Sequence, residues 1–418
     1  MYDVIVVGAR VAGSSTAMLL ARAGLKVLAV DRVQFPSDTL STHQVQVPAI
    51  ARLDRWGLLD RIVASNAPAT RRLRFDMPSG VLDGCFPAFE GVDAMYSPRR
   101  TVLDAILVDA AREAGAEVRE DFVVREVLTD GGRVTGIRGN AKGGGAVTET
   151  ARLVVGADGK HSMVARTVGA ERYHEHPPRT MGCYTYWEGV PLRGGEIYNR
   201  PRRGTGVWPT NDGLAMTFAS WPIEEFETFR ADAEGHLLET LDGAGDLGER
   251  VRAGRRAERI RLTPDLPNFF RVPHGPGWAL VGDAGLVMDP ITARGIGDAL
   301  LQGELLSEAV TEGLGGTRPL DEALAGFQEQ RDRALLPTYE FTLDLASTRP
   351  SRPEDEVLFR ALAGSQAETD RFLGVVTGSV PIEEYMKPAN ILKIVGVRGM
   401  AKAMLGRMRS RRSARDAA

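Results

Sequence analysis

The opening stretch, MYDVIVVGARVAGSSTAMLLARAGLKVLAVD, constrains this chain more than any other part of it. DVIVVG is a continuous apolar run, the pattern of a strand buried on both faces of a parallel sheet. AGSSTAMLLARAG carries apolar residues at helical spacing and stops at Gly24, and LKVLAVD is a second buried strand ending in Asp31. Between strand and helix lies GARVAG, a variant of the G-x-G-x-x-G of a dinucleotide-binding turn. Gly8 permits the tight turn and Gly13 lets helix and strand pack closely, but Arg10 replaces the middle glycine. The free N–H groups and partial positive charge of the helix N-terminus favour a pyrophosphate beside Gly8, Arg10, Val11, Ala12 and Gly13. Asp31, followed by Arg32, stands where a carboxylate accepts hydrogen bonds from a ribose diol. A side chain at residue 10 requires ordinary backbone angles, and Arg10 is expected to project over the cofactor groove.

Two later stretches repeat the strand-end pattern. VVGADGKHS puts Asp158 and Gly159 at the end of a buried strand, where ligands of open α/β sheets gather. In GWALVGDAGLVMDPITARGIGDAL, Gly282 and Asp283 close another buried strand, and Pro290 breaks the chain. Gly295, Ile296 and Gly297 then open a long amphipathic helix whose N–H groups suit an anionic ring. A further helix is expected from Thr101 to Ala114, after YSPRR, and Gly143 to Gly145 read as a hairpin loop. From Met181 to Phe270 alternating, aromatic-rich stretches such as MGCYTYWEGV predict antiparallel strands with one face on a pocket or core. The remainder reads mostly as helix.

Composition excludes several classes. A chain of 418 residues is long for one simple core, so two or more lobes are expected. A net charge of −3 gives no overall basic footprint for nucleic acid. Cys85 and Cys183 offer neither a disulfide framework nor metal spacing, and each is expected as a buried small hydrophobe. The six histidines include no H-x-x-x-H pair, so no metal is expected. No apolar run reaches the ~18 residues of a membrane span. The first strand begins almost at Met1, and a cytoplasmic monomer or homodimer is expected. The tail from Lys393 onward has eight basic residues against Asp416 and reads as a solvated end offering at most weak contact to a membrane.

Together, in this order, the three stretches resemble the FAD-dependent aromatic hydroxylases of the para-hydroxybenzoate hydroxylase fold, which share a framework with geranylgeranyl reductases and flavin halogenases. The resemblance covers roughly residues 1 to 345. It implies an α/β fold: a Rossmann-like FAD-binding domain with a parallel sheet (1–75, 97–175 and 271–345). Interleaved with it is an antiparallel-sheet substrate domain (76–96 and 176–270), followed by a helical C-terminal region (346–418). It also implies that Gly8 and Gly13 hold the FAD pyrophosphate and Asp31 the adenosine ribose. Arg100 falls near the ribityl and pyrophosphate, and Val124 against the adenine. Asp158 and Gly159 serve FAD and NAD(P)H, and Gly282, Asp283, Pro290, Gly295, Ile296 and Gly297 serve the flavin side. The chain departs from the family in having Gly297 for an asparagine, Leu286 for a histidine, and Arg166 four places after Ser162 instead of three.

The activity implied is an FAD-dependent monooxygenase. NAD(P)H reduces FAD as a transient reductant, O2 adds to give a C4a-hydroperoxyflavin, and one oxygen atom enters a small aromatic or polyketide-like substrate. The alternative is a reductase of prenyl or other alkene double bonds, with VWPTNDG an imperfect match to an element of those reductases. Halogenation is set aside, because the lysines before the D-G motif, Lys26 and Lys142, are poorly placed and no W-x-W-x-I-P occurs. His43, Tyr184, Tyr186 and Trp208 are the substrate-pocket candidates.

Overall fold

The continuous apolar runs form the centre of a mainly parallel sheet in the computed structural model, which describes residues 1–349 and 352–416, with side chains through residue 405. Across this sheet lie His274–Gly275, Trp278–Leu280, Ala146–Gly156, Tyr2–Val7, Val27–Val30 and Glu117–Arg119. Val4, Ile5 and Val6 are fully buried because helices cover one face and a hairpin the other. The helices Val11–Arg22 and Gly295–Leu314 pack so closely that a Cβ on Gly303 would lie 2.9 Å from Ser15 Oγ. On the opposite face, Phe122, Val127, Val134 and Ile137 of the hairpin Phe122–Ala141 close the second core. Gly143 to Gly145 lie in the turn between the antiparallel strands Arg133–Ala141 and Ala146–Gly156, as the hairpin reading requires.

Register decides where the site falls. Val7 pairs with both Val30 and Gly156, and Gly156 pairs with Leu280. The turns that follow these strands therefore leave the sheet at one level, and three segments distant in sequence meet along its carboxyl edge.

The second sheet runs Arg255–Arg256, Thr180–Glu188, Ala215–Pro222, Arg203–Pro209, Gly195–Arg200, Arg72–Met77 and Gly80–Cys85. Its pairs are antiparallel except Gly195–Arg200 with Arg72–Met77. The strand reading of 181–270 is incomplete: helices Phe226–Ala231, Ala233–Asp242 and Leu247–Ala253 interrupt it. They bury Phe229, Leu237, Leu241, Leu247 and Val251 against Trp187, Val207 and Trp221 of the sheet. Asp232 caps the middle helix by accepting from Gly235 N, a start signal that strand alternation had masked.

Cys183 is buried, but the expectation for Cys85 is corrected: it is exposed. It ends an edge strand, where alternation turns the last side chain away from the core. The C-terminal helices Leu320–Ala346, Pro353–Ala363, Gln366–Thr377, Ile382–Tyr385 and Pro388–Asp416 accord with the helical expectation. They share the main core, to which Phe359, Leu362, Leu373 and Tyr385 belong, with Phe372 edge-on to Phe75. No helix among the described residues is long and apolar enough to cross a membrane.

Candidate active site

The GARVAG turn is held open by its two glycines. Gly8 has φ +101°, and a Cβ there would lie 2.4 Å from the carbonyl oxygen of Ala157. A Cβ on Gly13 would lie 1.8 Å from the Gly8 carbonyl oxygen, so Gly13 sits behind the turn as the helix–strand contact. Arg10 has extended backbone angles (φ −82°, ψ −165°) that any residue adopts, which is why the middle glycine is dispensable. Its guanidinium is tied down on the cavity wall. Nη1 donates to Asp104 Oδ2 (2.6 Å) and Nη2 to Ser37 Oγ (2.8 Å) and the Asp38 carbonyl (3.1 Å). Asp104 is fully buried and also accepts from Arg100 Nε (2.9 Å) and Nη2 (3.0 Å). One carboxylate thus anchors both Arg10, expected over the cofactor groove, and Arg100, expected near the ribityl and pyrophosphate.

Arg10→Gly leaves the Asp104–Arg100 pair intact. Because the Arg10 side chain is 26% exposed, the substitution is expected to cost about 1 kcal/mol. Titration of the apoprotein should show FAD affinity reduced only several-fold.

A cavity of about 990 Å³ runs along the carboxyl edge of the sheet. Gly8, Arg10, Val11, Ala12, Asp31 and Arg32 line one end, with Arg100 and Val124 beside them. Asp158, Gly159, Gly282, Asp283, Pro290, Gly295 and Ile296 line the rest. Asp31 Oδ2 accepts from Ala9 N (2.7 Å) and Oδ1 from Val33 N (3.0 Å), which fixes its carboxylate at the strand end. Asp158 Oδ2 accepts from Met163 N (2.6 Å), whereas its buried Oδ1 has no partner among the described residues. Asp283 faces the cavity from a dense surround of protein, and that burial raises its pKa despite Lys160 and Arg100. An orphaned carboxylate oxygen, a turn that excludes a Cβ and a helix N-terminus on one cavity fit a dinucleotide cofactor with ribose hydroxyls to bind. Gly297 departs from expectation: it lines a second cavity, with a Cβ position 3.4 Å from Ala49 Cβ.

That second cavity, about 340 Å³, is walled by apolar side chains including Phe75, Met95, Ile197, Phe372, Val375 and Val376. The two cavities share Gln44, Phe218, Pro290 and Ala293 as lining. The turn there is firmly built. Ile291 N donates to Asp289 Oδ1 (3.0 Å), Asp289 N to Asn268 Oδ1 (2.8 Å), and Gln46 Nε2 to the Thr292 carbonyl (2.9 Å). Ala293 is in the left-handed region (φ +52°), a strained conformation at the boundary itself. Arg294 Nη1 donates to Gln46 Oε1 (2.8 Å) and its Nε lies 3.7 Å from Asp298. Asp298 lines the apolar cavity, and burial pushes its pKa up to about 6 although Arg294 and Arg52 oppose the shift.

The four pocket candidates separate. Tyr184 lines the large cavity and accepts from Ser41 N (3.3 Å), while Trp208 lines the apolar one and donates to the Thr42 carbonyl (3.1 Å). His43 and Tyr186 line neither cavity. Their rings stack at 5.6 Å and 14°, His43 Nε2 is hydrogen-bonded to Tyr186 OH, and Arg99 covers Tyr186 at 4.5 Å. Together they pin the segment carrying Ser41, Thr42 and Gln44 between the cavities.

Burial, with Arg100, Arg99 and Arg261 adding, lowers the His43 pKa to about 3. The unfolded chain therefore binds a proton below about pH 6.5 that the folded chain refuses, so this residue withdraws stability as pH falls from there towards 3. His43→Asn, chosen because asparagine tolerates φ +58°, should flatten the stability–pH curve over that window in urea titrations. A wild-type slope retained by the variant would remove His43 as its source.

Sequence reasoning missed Asp104, Gln44, Gln46 and Asp298. For Asp104 a signal existed: RTVLD sets Arg100 and Asp104 one helical turn apart.

Known proteins resemble this chain in sequence and in fold. The chain is 29% identical over 376 residues to digeranylgeranylglycerophospholipid reductase 1 of Methanopyrus kandleri, covering 85% of this chain and 93% of that one. Its fold matches the myxobacterial chondrochloren halogenase CndH with a TM-score of 0.77 at 21% identity, over 97% of both chains. It also matches pqsL of Pseudomonas aeruginosa, described as a probable FAD-dependent monooxygenase, with a TM-score of 0.69 at 21% identity, over 90% and 99% of the two chains. Residues 1–233, more than half of the chain, match the family described as an FAD binding domain, and the chain belongs to that family as an FAD-dependent oxidoreductase.

Proposed function

We propose that this oxidoreductase is a monooxygenase that uses NAD(P)H and O2 to place one oxygen atom on a small, largely apolar aromatic or polyketide-like molecule. The observation that carries the reading is the boundary between the cavities. Among the described residues the two linings share Gln44, Phe218, Pro290 and Ala293, none of them an acid or base. Oxygen transfer to an electron-rich carbon asks for no protein acid at that carbon, but it does ask for exclusion of water. The apolar wall behind the boundary serves that exclusion, and Gln44 offers an amide to orient a substrate oxygen. The large cavity's residues would hold FAD: Gly8 and the helix N-terminus at the pyrophosphate, Asp31 at the ribose, Asp158 and Asp283 at sugar-alcohol or ribose hydroxyls. FAD bound there supplies two-electron exchange with NAD(P)H and reactivity towards oxygen. Halogenation is disfavoured because Lys26 lies over the Tyr2 ring, and Lys160, which lines the large cavity, is engaged at 3.0 Å by the Asp265 carboxylate.

A second reading, reduction of an alkene, is favoured by one residue. Asp298 lines the apolar cavity with its pKa near 6, so part of its population carries a proton at neutral pH. Alkene reduction needs such a proton at carbon, and the Methanopyrus relative is named as a reductase. Phenolic, polyketide and indolic compounds should be screened for NAD(P)H oxidation that consumes oxygen. Asp298→Asn is expected to change the oxygen-coupled rate less than tenfold. A loss of roughly 100-fold or more, with products that gain hydrogen, would establish the reductase instead.

A further inference from the structure

Among its described side chains the terminal helix, Pro388–Asp416, lines neither cavity, and its sequence is chemically one-sided. From Lys387 to Arg415 the chain carries nine lysines and arginines and no aspartate or glutamate. One face of the helix is anchored: Ile394 packs on the main core, and Gly399 sits against Val357, whose Cγ1 is 3.4 Å from the Cβ position. The other face points outward. Val397 is 78% exposed, Met404 63% and Leu405 54%, although each is a residue that burial would favour. Beyond the backbone kink at Gly396 (φ 66°, ψ 171°), Val397, Ala401 and Leu405 recur every fourth residue, with Arg398 and Lys402 running beside them.

An apolar stripe flanked by cations has a specific physical use. A purely solvated tail gains nothing from large apolar side chains among its charges, and a phosphate-backbone binder needs the cations alone. A helix lying at the surface of a bilayer needs both, with apolar groups at the acyl boundary and cations over anionic headgroups. The neighbourhood agrees. Ile382, in the short helix before this one, lines the apolar cavity, as does Phe341, which is 39% exposed, and Met386 between the two helices is 49% exposed. We propose that this helix docks the protein on an anionic lipid bilayer. The docking is independent of the reaction assigned to the cavities.

The test is flotation of the full-length flavoprotein with vesicles of phosphatidylcholine, either alone or mixed with phosphatidylglycerol. The protein should float with the mixed vesicles only, and release as salt is raised. Arg398→Gln with Lys402→Gln should weaken this binding roughly tenfold or more. The combined Val397→Ser, Met404→Ser and Leu405→Ser variant should weaken it similarly, with FAD content and unfolding transition unchanged. The proposal is overturned if the protein fails to float with the mixed vesicles, or if binding survives the three serines. It is also overturned if duplex DNA is bound equally well before and after those serines. A change of oligomeric state on introducing them, in the absence of vesicles, would assign the face to a second copy of the chain and overturn it too.

Discussion

Gly13→Ala is expected to purify without FAD. The added methyl would lie 1.8 Å from the Gly8 carbonyl oxygen, and both atoms belong to backbone-fixed positions that no rotamer change can separate. Either the helix Val11–Arg22 retreats from the strand or the turn swings into the cavity. Overpacking of this kind costs about 3 kcal/mol, and each ~1.4 kcal/mol of that borne by the cofactor's site is tenfold in affinity. Visible absorbance per chain should fall to near zero, while circular dichroism retains the helical signal. A yellow, stable Gly13→Ala protein would show that helix–strand contact is not what shapes the turn.

Asp104→Ala is expected to be the most destabilising single change at the site. Its side chain is fully buried and accepts hydrogen bonds from both Arg10 and Arg100, the latter itself buried. Removing it leaves two guanidinium groups without their shared counter-charge, a loss of about 3–5 kcal/mol for a buried pair broken at one end. Arg10 would also lose its fixed position against Ser37 and Asp38, loosening the cavity wall. Urea unfolding should report the stability loss, and FAD titration an affinity reduced roughly tenfold or more. Asp104→Asn keeps the shape and the acceptor oxygen, and should fall between wild type and alanine on both measurements. Wild-type behaviour of Asp104→Asn would mean that charge contributes nothing there.

The parts of the fold that were legible in the sequence are those with a local cause. Buried strands show as unbroken apolar runs, and their ends at Asp31, Asp158 and Asp283 could be placed because parallel strands in register deliver their loops to one edge. Gly8 and Gly13 were legible because close backbone approach admits no other residue. What escaped depended on contacts between distant segments. Arg10 lines the cavity, but the carboxylate that fixes its guanidinium is 94 residues away and could not be named from the turn itself. His43 Nε2 and Tyr186 OH, 143 residues apart in sequence, pair away from both cavity linings, and nothing near either residue announces that pairing. The wall that Phe372, Val375 and Val376 give the apolar cavity was equally hidden, since helical periodicity says which face is apolar but not what it meets. Gly297 illustrates the finest grain. It stands two residues after Gly295 on the same helix, yet the helical turn carries it to the other cavity.

The central claim is that oxygen transfer takes place where the two cavities meet, at Gln44, Phe218, Pro290 and Ala293. Turnover under isotopically labelled dioxygen, with product masses read for whichever aromatic or polyketide-like compound stimulates NAD(P)H oxidation, tests it most directly. The predicted result is a product that gains one labelled oxygen atom, with Phe218→Ala diverting reducing equivalents to hydrogen peroxide by opening the boundary to water. A product that gains two hydrogens and no label, formed equally well without oxygen, would contradict the claim.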